Sequence, residues 1–295
     1  MNKHLHPDDR YLVDASTQFR DYILMPYRPA ASSIGKLHSQ SLFFHVLRAL
    51  DCSSLIQPIC RRLQEVLGTD QTVWGLKYGP QGWSIEWYFY NFLENNAENL
   101  SQATRISDAL RDIIQIPGDV PESIPYFMCS FEIVARQAQA GIAQPWRIYT
   151  RTGDKHRKES GFSYRVERDL IMENHYWFYT AKNREDLADV IYRLQNSFRA
   201  GDRRYHKILL PKQLRPCHTI CYAVKPLSDG LYFSRIHTDQ VIWFFKHHWK
   251  HELGKVFEHN REEFEHLRWD LGIDFCAPTP TTRARINKFG IYGVL

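Results

Sequence analysis

The feature that most constrains this chain is a set of short segments in which large apolar residues alternate with polar ones. Successive side chains of a strand point to opposite faces, so alternation commits the chain to a sheet with two unlike faces. In 83–90, Trp83, Ile85, Trp87 and Phe89 share one face, and Ser84, Glu86, Tyr88 and Tyr90 the other. In 125–134, Phe127, Cys129, Phe131 and Ile133 oppose Tyr126, Met128, Ser130 and Glu132. Segment 146–152 sets Arg147, Tyr149 and Arg151 against Trp146, Ile148 and Thr150. Arg235 and His237 fall together in 230–237, and Lys182, Lys225 and the pair Lys288 and Tyr292 repeat the theme.

Between these strands lie amphipathic helices, which makes the fold class α+β. Apolar stripes predict helices over 40–50, 53–67, 101–115 and 184–198, with Ser101 and Asn183 as N-caps of the last two. A long helical region is expected over 238–271, interrupted near Gly254. Strands are expected at 72–78 and 83–92 around the Gly79-Pro80-Gln81-Gly82 turn, and at 125–134, 146–152, 162–168, 173–182, 218–225, 230–237 and 286–294. Trp-Tyr-Phe-Tyr at 87–90 and Tyr-Trp-Phe-Tyr at 176–179 are each followed by one helix and two strands. That repeated plan predicts one mainly antiparallel sheet rather than two. Residues 1–37 read as an irregular N-terminal segment and 153–161 as a charged surface loop, so 1–295 reads as a single domain. The helices would cover the apolar face. The aromatic and basic face would then either meet water, as in a two-layer sandwich, or line the lumen of a closed antiparallel barrel.

Composition removes several classes of function. The net charge is +5, from 38 Lys and Arg against 33 Asp and Glu, too little for DNA binding by bulk charge. It suits one local basic pocket. The six Cys include no CxxC pair, and Cys52, Cys60, Cys129 and Cys221 sit in apolar segments as buried thiols do. The N-terminus has no apolar signal core and no run reaches membrane-spanning length, so a cytoplasmic location without a membrane partner is expected. Nucleotide loops of the GxGxxG or P-loop kind, the GxSxG elbow and a DDxxD magnesium motif are all absent. His247 and His251 lie four apart, a spacing that can bind zinc on a helix. Interleaved Lys and Glu favour a solvated helix face there.

The repeated helix and strand-pair units, the aromatic and cationic strand face and the length together resemble the ABBA-type aromatic prenyltransferases. The resemblance covers the plan of residues 72–295. It implies a central antiparallel barrel ringed by helices, Arg and Lys that bind an allylic diphosphate, Tyr rings that shield an allylic cation, and a Glu that orients the acceptor. The nearest counterparts are Arg147, Tyr149 and Arg151, with Lys182, Lys225, Arg235, Lys288 and Tyr292, and Tyr88 and Tyr90 on the first hairpin. Glu86 is the counterpart of the acceptor-orienting carboxylate. The implied partners are a small anionic donor and an acceptor, and magnesium is a cofactor that a diphosphate donor could bring.

The residue types suit that chemistry. Arg binds diphosphate in bidentate fashion, and Tyr faces stabilise a cation without attacking it. Glu86 in an apolar lumen would have a raised pKa unless a cation or donor compensates, and the other reading has it face water or pair with Lys77 across the hairpin. A non-catalytic protein using the same face for single-stranded nucleic acid or another anionic ligand is the alternative.

Overall fold

A sheet whose second face carries Tyr, Arg and Glu must either solvate that face or enclose it, and this chain encloses it. The computed structural model describes residues 1–91, 102–121, 123–152 and 159–295. Ten antiparallel strands close into a barrel, each paired with the next and the first with the last. They are β1 (Val73–Gly79), β2 (Gly82–Tyr90), β3 (Met128–Val134), β4 (Arg147–Thr152), β5 (Ser160–Val166), β6 (Leu170–Thr180), β7 (Thr219–Val224), β8 (Asp229–His237), β9 (Arg268–Cys276) and β10 (Arg285–Val294). The two similar hairpins, β1–β2 and β5–β6, belong to this one sheet. The closed barrel, and not the sandwich, is therefore the arrangement the alternation serves.

Helices pack outside the barrel: α1 (Ser39–Ala49), α2 (Ser53–Leu67), α3 (Gln102–Leu110), α4 (Arg184–Asn196), α5 (His206–Leu209), α6 (Thr238–His247), α7 (Glu252–His259) and α8 (Arg261–Phe264). Their stripes, such as Ile56, Ile59 and Leu63 of α2 and Val190 and Leu194 of α4, join one core with the outward strand residues Trp74, Trp87, Phe131, Phe233 and Ile291. Removing each such side chain from water stabilises the fold by about 1.5–3 kcal/mol. The Asn183 carboxamide caps α4 by accepting from the backbone amide of Glu185 at 2.9 Å. The expected Ser101 cap, and residues 153–158 of the expected charged loop, lie outside the described residues. Ser160 and Gly161, placed in that loop by the sequence, belong to β5.

The helical region expected over 238–271 is corrected. Helix breaks at 248–251 and not at Gly254, which lies inside α7, and 268–271 is already β9. Gly254 is there for packing: a Cβ would come within 2.6 Å of Phe245. The break also undoes the spacing of His247 and His251. The His251 ring accepts the Leu253 amide at 3.1 Å as the cap of α7, while His247 stacks on Trp243. Residues 1–37 are largely irregular, as expected, yet they are not a loose tail. Asp21 and Leu24 are buried, and Arg20 bridges to Pro26 around a tight turn at one end of the barrel.

Candidate functional site

The lumen is layered. Its middle layer is five tyrosines, one from each even-numbered strand: Tyr88, Tyr149, Tyr176, Tyr232 and Tyr292. Each stands opposite a small residue of an odd-numbered strand. Ser130 faces Tyr88, Ser163 faces Tyr149, Ala223 faces Tyr176, Gly272 faces Tyr232 and Gly75 faces Tyr292. Large residues from alternate strands can share one level of a barrel only if the strands between supply small ones. Two of these positions leave no room for a methyl group. A Cβ on Gly272 would lie 2.7 Å from the Tyr232 ring, and one on Gly75 would lie 2.8 Å from the Tyr292 ring. Neighbouring ring centroids are 6.1 Å apart for Tyr176 and Tyr149, 6.4 Å for Tyr149 and Tyr88, 6.0 Å for Tyr88 and Tyr292, and 6.5 Å for Tyr292 and Tyr232. Burial raises all five phenol pKa values, so these rings are neutral.

On one side of this layer is a charged cavity of about 280 Å³, lined at its rim by Pro226, Leu227 and Ser228 between β7 and β8. Glu86 lies in its wall and accepts from Tyr88 Oη at 2.5 Å, from Ser130 Oγ at 2.6 Å and from Lys77 Nζ. Lys77 is also 2.9 Å from Glu132. Arg147 spans the same floor, 3.1 Å from Glu132, 2.7 Å from Glu173 and 3.8 Å from Glu86. Lys225 meets Asp274 at 2.6 Å and the Tyr232 hydroxyl at 2.8 Å.

Burial alone would raise the Glu86 carboxyl, but Lys77 and Arg147 outweigh it and hold Glu86 below the usual carboxylate range. Glu132 is held lower still by Lys77, Lys288 and Arg147 against the same burial. Both readings of Glu86 thus meet. It faces the lumen, and it pairs with Lys77, and the pair is buried.

Lys288 differs from the other cations of this cavity. Among the described residues it has no carboxylate partner. Lys77 nearby, and then burial, push its pKa down to about 8. The cavity's four carboxylates, Glu86, Glu132, Glu173 and Asp274, face Lys77, Arg147 and Lys225, with Arg165 also 3.0 Å from Glu173. Four cations and four carboxylates line the cavity, and Lys288 is the cation among them that forms no ion pair among the described residues.

Beyond the tyrosines is a second cavity of about 200 Å³, lined by Tyr90, Phe127, Met128, Phe178 and Cys221, with Asp21, Tyr22 and Asp270 at its end. Burial, with Asp21 close by, raises the Asp270 carboxyl well above its ordinary range.

Of the residues singled out by sequence, Glu86, Arg147, Tyr149, Lys225, Lys288, Tyr292 and Tyr88 come together around the charged cavity. Four do not. Tyr90 and Arg151 line the apolar cavity, and Arg151 lies over the Phe127 ring at 4.7 Å. Arg235 sits in a β-bulge with φ +56° and pairs with Asp21 at 2.7 Å, away from the charged cavity. Lys182 is exposed in the turn between β6 and α4 and lines neither cavity. Its placement assumed that strand alternation continues past Thr180, where β6 ends. Lys77, Glu173, Tyr176, Tyr232 and Asp274 complete the site. Tyr232 alternates with Ser234 on β8, and that pattern was a usable signal.

Magnesium does not fit the donor set. Each carboxylate of the charged cavity already faces a cation, and among the described residues no three His, Cys, Asp or Glu side chains gather as a metal-binding group. No helix among the described residues is long and apolar enough to cross a membrane. Comparison with known protein families and with curated proteins finds no match for this chain.

Proposed function

We propose that this chain transfers an allylic group from a diphosphate donor to an aromatic or other nucleophilic acceptor, as aromatic prenyltransferases do. The observation that carries this reading is the layer of five tyrosines between a charged cavity and an apolar one. Diphosphate would sit against Lys288, Lys225, Lys77 and Arg147. The allylic chain would then rise into the tyrosine layer, and the acceptor would approach from the apolar side.

In that pose the allylic C–O bond breaks and both electrons leave with the diphosphate, whose charge the lysines meet. The developing cation lies among ring faces, each worth about 0.5–2 kcal/mol, in a site preorganised before the reaction. The acceptor forms its new bond to the allylic carbon and loses a proton. Glu86 lines the charged cavity alone, whereas Tyr88 lines both and donates to Glu86 at 2.5 Å. The proton therefore passes through the Tyr88 hydroxyl to the Glu86 carboxylate. Six free thiols suit a cytoplasmic setting. An enclosed basic face offers no open platform for stacked bases, which weighs against the nucleic-acid reading.

The test is incubation of the protein with dimethylallyl diphosphate and a panel of phenols and indoles. A product heavier by one isoprene unit, with one diphosphate released per product, supports the reading. Absence of both transfer and donor binding overturns it.

A further inference from the structure

The N-terminal turn reaches further into the barrel than an irregular tail needs to. The Asp21 amide donates to the Met25 carbonyl at 3.0 Å, and the Asp21 carboxylate accepts the amides of Ile23 at 3.1 Å and Met25 at 2.9 Å. Leu24, with φ +57°, is buried. Three strands tether this turn. Asp270 of β9 accepts the Tyr22 amide at 3.1 Å, Arg235 of β8 holds the Asp21 carboxylate at 2.7 Å, and Tyr90 of β2 donates to the Tyr22 carbonyl. The Tyr22 ring stands edge-on to Tyr88 at 4.9 Å and to Tyr292 at 5.1 Å. A sixth tyrosine, supplied from outside the sheet, thus fills the end of the apolar cavity against two members of the central layer.

We infer that Tyr22 is the size filter of the apolar compartment, a specificity-determining residue that limits the acceptor to the space its ring leaves in that compartment. This rests on the reading of that compartment as the acceptor side. A ring held by one backbone turn can be removed without opening the barrel wall, because the turn pairs with no strand of the barrel. The compartment would then lengthen by about one ring and take two-ring acceptors that wild type rejects. Loosening the turn at Arg235 should act in the same direction, since Arg235 fixes Asp21, the residue before Tyr22.

The experiment uses the full chain and two probes, para-cresol with one ring and para-phenylphenol with two. Binding of each is measured by calorimetry in wild type, Tyr22→Ala and Arg235→Gln, alongside a titration with inorganic diphosphate. The ratio of two-ring to one-ring affinity should rise about tenfold or more in Tyr22→Ala, the scale of a changed apolar pocket, and by a smaller factor in Arg235→Gln. Diphosphate affinity should stay unchanged in both. An unchanged ratio in both variants overturns the filter. If Tyr22→Ala does not fold, Arg235→Gln decides alone by the same criterion. Loss of diphosphate binding in wild type would count against the donor site and leave the ratio to judge Tyr22 by itself.

Discussion

Tyr232 of β8 lies directly across from Gly272 of β9, and its ring occupies the space a Cβ on that glycine would fill, 2.7 Å away. The same opposition of large and small recurs around the barrel and sets where the tyrosine layer stands. Gly272→Ala should therefore drive the Tyr232 ring off its seat and into the lumen. Overpacking of this kind costs about 1–3 kcal/mol. Urea unfolding should show that loss. The double variant Gly272→Ala with Tyr232→Leu should recover most of it, with a coupling of about 1–2 kcal/mol between the two sites. Strict additivity would mean that the ring does not depend on the glycine.

Glu86 and Tyr88 are expected to act as one unit in proton removal. Glu86→Gln keeps the size of the side chain and should lower turnover by about two to four orders of magnitude, the range for losing a general base. Tyr88→Phe should fall in the same range, and the double variant should be little worse than either single one. Donor affinity, read by calorimetry, should change little in Tyr88→Phe. Independent, multiplying losses would separate Tyr88 from the proton path.

Lys288 sets a pH dependence. Its pKa lies near 8 because Lys77, and then burial, disfavour its charge, with Lys225 adding to this and Glu132 and Asp274 opposing it. An anion needs the protonated amine. Diphosphate affinity should be full below pH about 8 and weaken as pH rises through it, by up to about tenfold per unit. Lys288→Met should bind more weakly at neutral pH and lose this step. The same group affects stability in a defined window. The unfolded chain keeps the proton up to about 10.5 and the folded one loses it near 8, so stability from Lys288 rises with pH between those values. A wild-type affinity flat from pH 7 to 9 would exclude Lys288 from the anion site.

Arg147 is expected to be structural as well as ligand-binding. It compensates Glu132, Glu173 and Glu86 together. Arg147→Ala leaves buried carboxylates uncompensated and should cost about 3–5 kcal/mol, seen as a clear fall in melting temperature. An unchanged melting temperature would mean that these carboxylates protonate or rehydrate freely.

Much of this architecture was legible because β-strands report both faces. Ser84, Glu86, Tyr88 and Tyr90 announce a lumen face as plainly as Trp87 and Phe89 announce the covered one. Closure was not legible, since alternation looks the same whether the polar face meets water or a lumen. Lys182 was misplaced because alternation carries no mark of where a strand ends. Arg235 was misplaced because alternation sets it with Leu231 and Phe233 and not with Tyr232, and because the bulge after Phe233 and its partner Asp21, 214 residues away, carry no local signal. β9 was missed altogether, because the apolar spacing of 264–271 also fits a helix and 272–276 was assigned to no element. Tyr22 carried no periodic signal at all. Its position depends on side-chain tethers to Asp270 and Arg235 that only the folded barrel brings together.

In the proposed function the charged cavity holds an allylic diphosphate through Lys288. Its test is a calorimetric titration at pH 7 of wild type and Lys288→Met with a thiolo analogue of dimethylallyl diphosphate whose allylic C–S bond resists cleavage. Wild type should bind saturably at one site per chain, and Lys288→Met should bind at least about tenfold more weakly, with both proteins melting at similar temperatures. Equal affinity in the two proteins, or no saturable binding to wild type, would contradict it.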